Sequence, residues 1–335
     1  MTRPPATSGA RLLADIGGTN ARFAWQDHPG GELECVETLA CADHASLHEA
    51  LTAYLDRSGR SAVRACAIAI ANPVIGDQVT MTNHHWSFSI RELKSRGGFD
   101  RLLVLNDFTA LALALPALRA DETTQVGGGA PQPASAIGLI GPGTGLGVSG
   151  LLPDGRGGWL PLQGEGGHAT LAGTTPRERA VLDRIGERLG HVSAERAISG
   201  RGLLNIHRAL CEIDGASAAA DAATSAEVTQ RALAGRDATC VEALALFCAF
   251  LGIAAGNVAL TLGARGGVYI GGGIVPRLGA WFATSPFRAR FEAKGRFAEY
   301  LAAIPVYVIH TERSPALLGA AIALDAEARA AGYAV

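Results

Sequence analysis

The first third of the chain is a series of short apolar runs broken by glycine and polar residues. "LLADI", "ARFAW" and "ECVETLA" predict three strands joined by Gly-rich turns. "SLHEALTAYLDRSG" carries its apolar positions at helical spacing and stops at a glycine. "AVRACAIAIAN" predicts a buried strand and "QVTMT" another, and "SIRELKSRGGF" a helix with Ser89 as N-cap. "RLLVLN" predicts a short buried strand running into "DFTALALALPAL", a helix that stops near Pro116. Hairpin strands followed by strands alternating with helices predict a mixed sheet with helices packed on it.

"ADETTQVGGGAPQPAS" reads as a loose boundary, after which a second unit begins. "AIGLI" predicts a strand, "GPGTG" a turn and "LGVSGLL" a strand, with helices at about 175–190 and 193–212. "DGASAAADAATS" is a low-complexity stretch expected to be an exposed loop. Two more helices lead to "GGVYIGGGIVP", a strand breaking into glycines, then to the strand "IPVYVIH" and a last helix from about Pro315. The two units echo each other. "IGGTNARFA" lies over "GPGTGLGVS", with Gly18-Thr19 on Gly143-Thr144, as if each half reused one opening hairpin. Asp15 has no counterpart in the second copy, where Ile140 takes its place.

Composition narrows the class. The 335 residues are 48% hydrophobic and 18% charged, enough for a sizeable core. With a net charge of -2 and no long run of Lys or Arg, nothing indicates a nucleic-acid partner. No two of the six cysteines have C-x-x-C spacing, and several sit in apolar patterns such as "VRACAIAIA". That usage fits a reducing cytoplasm better than a disulfide framework. "MTRPPATSGA" lacks the apolar core of a signal peptide. Residues 243–264 are uncharged and long enough to span a membrane, but they include glycines, Asn257 and Thr261. A helix buried in a large α/β domain is the better reading, and no membrane partner is expected.

The glycine turns carry the first candidate chemistry. Glycine lets backbone N–H groups approach an anion unobstructed, and a threonine hydroxyl adds a donor. Asp15, at the lip of the first turn, would repel phosphate unless a divalent cation such as Mg²⁺ lay between them. Either turn, taken alone, reads first as an ordinary hairpin. Neither is a Walker A loop or a dinucleotide fingerprint, since no "GK[ST]" follows and a strand comes after each turn. Asn106 and Asp107 fall where a strand ends and a helix begins, the usual ligand edge of an open α/β sheet. Asp107 there either caps the helix or accepts a proton from a substrate hydroxyl that Asn106 holds. "GEGGH" is a tight loop presenting Glu165 and His168, either as a solvated turn or to a polyhydroxyl ligand. "HVSAERAISGRGL" reads as a helix start with Ser193 as N-cap, its Glu195 explained by the first turn alone. Gly271, Gly272 and Gly273 leave room for something flat against the backbone, or simply turn the chain.

Taken together these stretches resemble the bacterial glucokinase family, the hexokinase-like group of the actin-like ATPase superfamily. "ADIGGTNAR", "MTNHHWSFS", "NDFTA", "GPGTGLGV", "GEGGH", "SAERAISG", "GGGIVPR", "FEAKGRF" and "IPVYVI" follow the family's order along essentially the whole chain. The resemblance implies two actin-like (ribonuclease H-like) α/β domains, mixed β-sheets flanked by helices, with an active-site cleft between them. The smaller would hold 1–118 plus about 313–335, and the larger 119–312. ATP would meet Ala14, Asp15, Ile16, Gly17, Gly18, Thr19 and Asn20 on one side and Gly143, Thr144 and Gly145 on the other, its adenosine near Gly271, Gly272 and Gly273. Glucose would be held by Asn106, Asp107, Glu165, His168 and Glu195, with Asp107 as the base for its 6-hydroxyl and Asp15 positioning Mg²⁺. A cytoplasmic homodimer is implied as well.

One departure is informative. Relatives of the ROK type carry a cysteine-rich zinc motif near the sugar-binding histidine, and none follows His168, so the non-zinc branch is the better match. The enzyme alternative is a kinase for another hexose or an amino sugar. A sugar-binding regulator that has lost catalysis predicts a missing base or a broken turn, yet Asp107 and both turns are present. A zinc hydrolase built on Glu165, His168 and Glu195 fits poorly, given the intervening glycines.

Overall fold

A computed structural model describes residues 9–61, 63–215, 224–311 and 313–330. The chain forms two compact units, the described residues of Met1–Leu118 with Thr311–Val335, and Arg119–His310. The alanine-rich tract expected to form an exposed loop lies outside the described residues from 216 to 223.

The first unit opens with the hairpin β1 (Arg11–Ile16) and β2 (Asn20–Gln26), to which β3 (Glu34–Ala40) adds antiparallel. After α1 (Leu47–Ser58), β4 (Ala65–Ile70) pairs parallel with β1. A small ribbon of β5 (Gln78–Thr80) and β6 (Ser87–Ser89) leads to α2 (Ile90–Arg96). Then β7 (Arg101–Asn106) pairs parallel with β4 and runs straight into α3 (Asp107–Ala114). The sheet order is β3-β2-β1-β4-β7. Ser89 caps α2 as expected, accepting from Glu92 N–H, and Gly59 ends α1 in the left-handed region; Ser46 caps α1, accepting from Glu49 N–H.

The alternation of β1 divides its side chains between two cores. Leu12, Ala14 and Ile16 pack with Phe23, Tyr54 and Ile68. Leu13 faces the other way, against Leu317, Ala320 and Leu324 of the terminal helix Pro315–Ala330. On that same face Arg11 pairs with Asp325 at 2.5 Å. The terminal helix crosses α3 so closely that a Cβ on Gly319 would lie 1.7 Å from the Ala110 carbonyl oxygen, so only glycine fits there. Asp15, two residues beyond Leu13, inherits this face.

The second unit repeats the plan. Its elements are β8 (Thr123–Val126), β9 (Ile137–Pro142), β10 (Leu146–Pro153), β11 (Trp159–Leu162), α4 (Pro176–Leu189), α5 (Gly200–Asp214), α6 (Ser225–Leu233) and α7 (Ala238–Leu262). Then come β12 (Val268–Ile270), short helices α8 (Ala280–Thr284), α9 (Phe287–Glu292) and α10 (Ala298–Ala302), and β13 (Val306–Ile309). The order β11-β10-β9-β12-β13-β8 matches the first sheet strand for strand, with the same antiparallel and parallel pairings, and adds β8 at one edge.

Three local expectations need adjustment. The stretch read as a loose boundary contains β8, which pairs antiparallel with β13; its Thr-Thr-Gln composition hides an edge strand. The helix expected over 193–212 is split. Residues Ala194–Arg196 form a single 3-10 turn, and α5 starts only at Gly200, capped by Ser199 rather than Ser193. The apolar stretch at 243–264 belongs to α7, long and apolar enough to cross a membrane but mostly buried in this unit. Its glycines admit α9. A Cβ on Gly252 would lie 2.3 Å from the Phe287 oxygen, and one on Gly256 2.7 Å from the Phe291 oxygen.

Candidate active site

In the first unit β1, β4 and β7 end in register, Ile16 beside Ile70 and Ile70 beside Asn106. With neighbouring strands about 4.8 Å apart, the first glycine turn and the Asn106-Asp107 pair share one sheet edge roughly 10 Å wide. The turn is braced from behind: Gly17 N–H donates to Asn20 O at 2.9 Å, and Cys41 N–H to Thr19 O at 2.8 Å. The Cys41 thiol donates to Gly17 O at 3.4 Å. A Cβ on Gly18 would lie 2.9 Å from the Asn83 Cβ, so glycine lets the "MTNHHW" segment close on the turn. Among the described residues no backbone carbonyl takes the Gly18 or Thr19 N–H, which leaves two donors for an anion.

Asp15 lies on the terminal-helix face of β1. Ser314, immediately before that helix, donates to its Oδ2 at 2.9 Å, and the Arg22 guanidinium stands 3.6 Å from the same oxygen. Burial pushes the Asp15 carboxyl above its usual range, with Ser314 and Arg22 pulling back. A partly desolvated acid beside an anion cradle suits a divalent cation, whose charge would favour its ionised form.

At the β7–α3 junction the sequence left open whether Asp107 caps the helix. The cap is Asn106, whose Oδ1 accepts from Phe108 N–H at 2.9 Å and Thr109 N–H at 3.1 Å. Its Nδ2 donates to Asp107 Oδ1 at 3.1 Å, and Phe108 N–H donates to that oxygen at 2.8 Å. Asn106 is therefore first a brace. It orients Asp107 while the helix N-terminus favours negative charge there.

In the second unit the "GPGTG" turn narrows to Gly143, Thr144 and Gly145, because β9 continues through Pro142. Gly143 N–H donates to Gly145 O at 2.8 Å, and Gly143 O accepts from Gly200 N–H at 2.9 Å. Gly200 opens the 15-residue helix α5, so the positive end of its dipole backs this turn. Gly271 N–H donates to Ile140 O at 2.9 Å, and a Cβ on Gly272 would meet Pro142 O at 2.3 Å. The Gly271–Gly273 run and the Gly143–Gly145 turn thus lie side by side.

The "GEGGH" loop is a 3-10 turn over Gly166–His168 pressed on β10, where a Cβ on Gly167 would lie 2.0 Å from Leu146 O. Ala194 N–H donates to Ala169 O at 2.8 Å and Leu171 N–H to Val192 O at 3.0 Å, tying this loop to the Glu195 turn. Glu165 and His168 are exposed, while Glu195 is half-buried. Glu195 does not sit in a helix start. Its Oε2 accepts from Leu146 N–H at 2.9 Å and would touch any Cβ on Gly145 at 2.4 Å. The structure therefore gathers the sequence candidates into two groups: Ala14–Asn20, Asn106 and Asp107 on the first unit, and Gly143–Gly145, Glu165, His168, Glu195 and Gly271–Gly273 on the second. Sequence reasoning missed Ser314, Arg22 and Gly200. Of these only Ser314 carried a signal, as a serine just ahead of a helix.

Matching sheets, a glycine turn after the first strand of each, and an acid braced at a strand end define a protein of two mixed α/β units built on one repeated plan. A solved ROK family glucokinase from Streptomyces griseus, in complex with glucose and AMPPNP, shares this fold (TM-score 0.62, 20% identity, 93% of this chain and 98% of that chain). A solved glucokinase from an Antarctic psychrotroph is more similar, with a TM-score of 0.84 and 35% identity over 95% of this chain and 99% of that chain. The glucokinase of Aromatoleum aromaticum is 57% identical over 316 residues, 94% of each chain. The family model for Glucokinase matches residues 12–327, and the chain belongs to that family.

Proposed function

We propose that the protein transfers the γ-phosphoryl group of ATP to the 6-hydroxyl of glucose, giving glucose 6-phosphate and ADP. As a member of the glucokinase family the chain is an ATP-dependent hexose kinase. The observation that carries the chemistry is Asp107, held through Oδ1 by Asn106 Nδ2 and by the Phe108 N–H of α3. Such a carboxylate accepts the proton of the sugar hydroxyl as its oxygen forms the new bond to phosphorus and the bond to ADP breaks. Glu165, His168 and Glu195 supply the polar contacts that make a site demand a polyhydroxyl ligand. Asn106 completes that set through its amide.

The two glycine turns receive the phosphates on backbone N–H groups, and Gly271–Gly273 leaves room for the adenosine. Mg²⁺ fits Asp15, through water. When bound it neutralises charge on the β- and γ-phosphates. No cysteine follows His168 before Cys211, which supports the branch of the actin-like sugar kinases without the cysteine-rich zinc motif. Five of the six cysteines are free and buried, in keeping with a reducing cytoplasm. A homodimer is the proposed assembly, checked by sedimentation equilibrium.

Asp107→Asn tests the base directly. It keeps the shape and the acceptor for Phe108 N–H, so the protein should fold and bind glucose while turnover falls roughly 10²–10⁴-fold. Near-normal turnover would remove Asp107 as the base. Comparing kcat/KM on glucose, mannose, fructose and N-acetylglucosamine tests the substrate; a better substrate than glucose would replace it.

A further inference from the structure

A second cluster of ligating side chains lies in the second unit, built on α5 and the start of α7. One ring nitrogen of His207, a carboxylate oxygen of Asp237 and the thiol of Cys240 all lie within 4.8 Å of one another. Cys211, one helical turn after His207 on α5, places its sulfur 4.0 Å from His207 Nε2. His207 is 2% exposed, Cys240 0% and Cys211 5%. The Nδ1 of His207 is buried without a hydrogen-bond partner. A purely structural histidine at that depth would normally satisfy both ring nitrogens.

We propose that His207, Asp237 and Cys240, with Cys211 as fourth ligand, form a zinc site that ties α5 to α7. Mixed nitrogen, sulfur and carboxylate donors in a closed buried pocket suit zinc better than the oxygen-seeking Mg²⁺ or Ca²⁺. Tetrahedral zinc would draw the donor atoms to roughly 3.3–3.8 Å apart, against a spread of up to 4.8 Å among His207, Asp237 and Cys240. Asp237 is already fixed, its Oδ1 accepting from Cys240 N–H at 3.0 Å as the cap of α7. Arg231 stands 3.8 Å from its Oδ2. Two thiolates and one carboxylate around a dication leave one negative charge in excess, which that guanidinium offsets. The pattern is silent in sequence, because His-x-x-x-Cys and Asp-x-x-Cys on separate helices match no C-x-x-C spacing. The site is independent of the sugar-kinase reaction and of every residue assigned to it.

Full-length protein stripped with a chelator, reloaded with one equivalent of zinc and gel-filtered should retain about one zinc per chain. Cobalt(II) in its place should show a thiolate-to-cobalt charge-transfer band and tetrahedral d–d absorption. Cys240→Ser should weaken zinc at least tenfold, as should Asp237→Asn, which keeps a helix-capping side chain. His84→Ala with His85→Ala, on the other unit, should leave it unchanged. The wild-type cobalt spectrum decides even if a variant fails to fold. Absence of a thiolate band, retention well below one equivalent, or undiminished affinity in both ligand variants would overturn the site.

Discussion

The two glycine turns occupy the same place in matching sheets, yet each meets a carboxylate from a different source. In the first unit the acid is in the strand itself: Asp15, two residues before Gly17, on the face that receives Ser314. In the second unit that position is Ile140, fully buried in the core. The carboxylate there arrives from the 3-10 turn 50 residues downstream of Gly145, as Glu195 bonded to Leu146 N–H. A repeated hairpin thus fixes two backbone cradles, and the side chain beside each is specialised separately. An acid on the strand is rigid and partly desolvated, suited to a cation. An acid on a loop can touch the turn and still reach a neutral ligand.

Asp15→Asn should separate the turns most sharply. It preserves the acceptor for Ser314 and removes the charge. If Asp15 positions the metal, kcat/KM at fixed Mg²⁺-ATP should fall roughly 10²-fold or more, the scale of losing one charge-stabilising group in a phosphoryl-transfer site. Raising Mg²⁺ should recover part of the loss. A change smaller than threefold, measured by a coupled assay, would make the two turns equivalent and leave the strand acid without a role.

Alanine at matched glycines should break the symmetry in substrate. On Gly145 the new Cβ would meet Glu195 Oε2 at 2.4 Å. That carboxylate can swing away, but only by leaving Leu146 N–H. Glucose KM should rise roughly tenfold with little loss of stability, as for one lost charged hydrogen bond. On Gly18 the Cβ would press on the Asn83 Cβ at 2.9 Å and its carbonyl oxygen at 3.1 Å, which is backbone and cannot rotate out of the way. There ATP affinity should suffer more than glucose affinity. Equal effects of both variants on both substrates would sink the division of labour.

The legibility of the fold follows the same line between local and distant causes. Apolar period and caps made β1, β2, β7, β9, α1 and α2 readable, because the reason for each lies within its own segment. β8 was not, since an edge strand of Thr, Thr and Gln needs its partner β13 to exist at all. The start of α5 was misplaced because two serines, Ser193 and Ser199, compete as caps, and packing of the turn against β10 selects the second. Both glycine turns were visible as turns. What stands behind them was not: Ser314 reaches Asp15 from 299 residues away, and no pattern encodes that.

The smallest expected effect comes from the same Asp15 substitution, read without ligands. Burial raises the Asp15 carboxyl in the folded protein above its unfolded value near 3.8, against the pull of Ser314 and Arg22. The folded state therefore prefers the neutral acid. Any stability linked to that preference is complete below the unfolded pKa and is lost as pH rises through the folded pKa. At neutral pH the ionised carboxylate is then a net cost, so ligand-free Asp15→Asn should melt slightly higher than wild type. The gap should close as pH falls toward about 4. Glu178 in the second unit provides the opposite case. Burial pushes it up, but hydrogen bonds from Thr174 and Thr175 and the Arg290 guanidinium outweigh that and lower its pKa. Its contribution is present above the unfolded value and fades on acidification through the folded one. Thermal melts of wild type and Asp15→Asn across this pH range, with and without Mg²⁺-ATP, read the difference. Ligand should reverse the order, since only wild type gains the cation's attraction. An Asn variant less stable than wild type at neutral pH without ligand would show that Ser314 and Arg22 already satisfy Asp15, and would remove the electrostatic reason for a cation there.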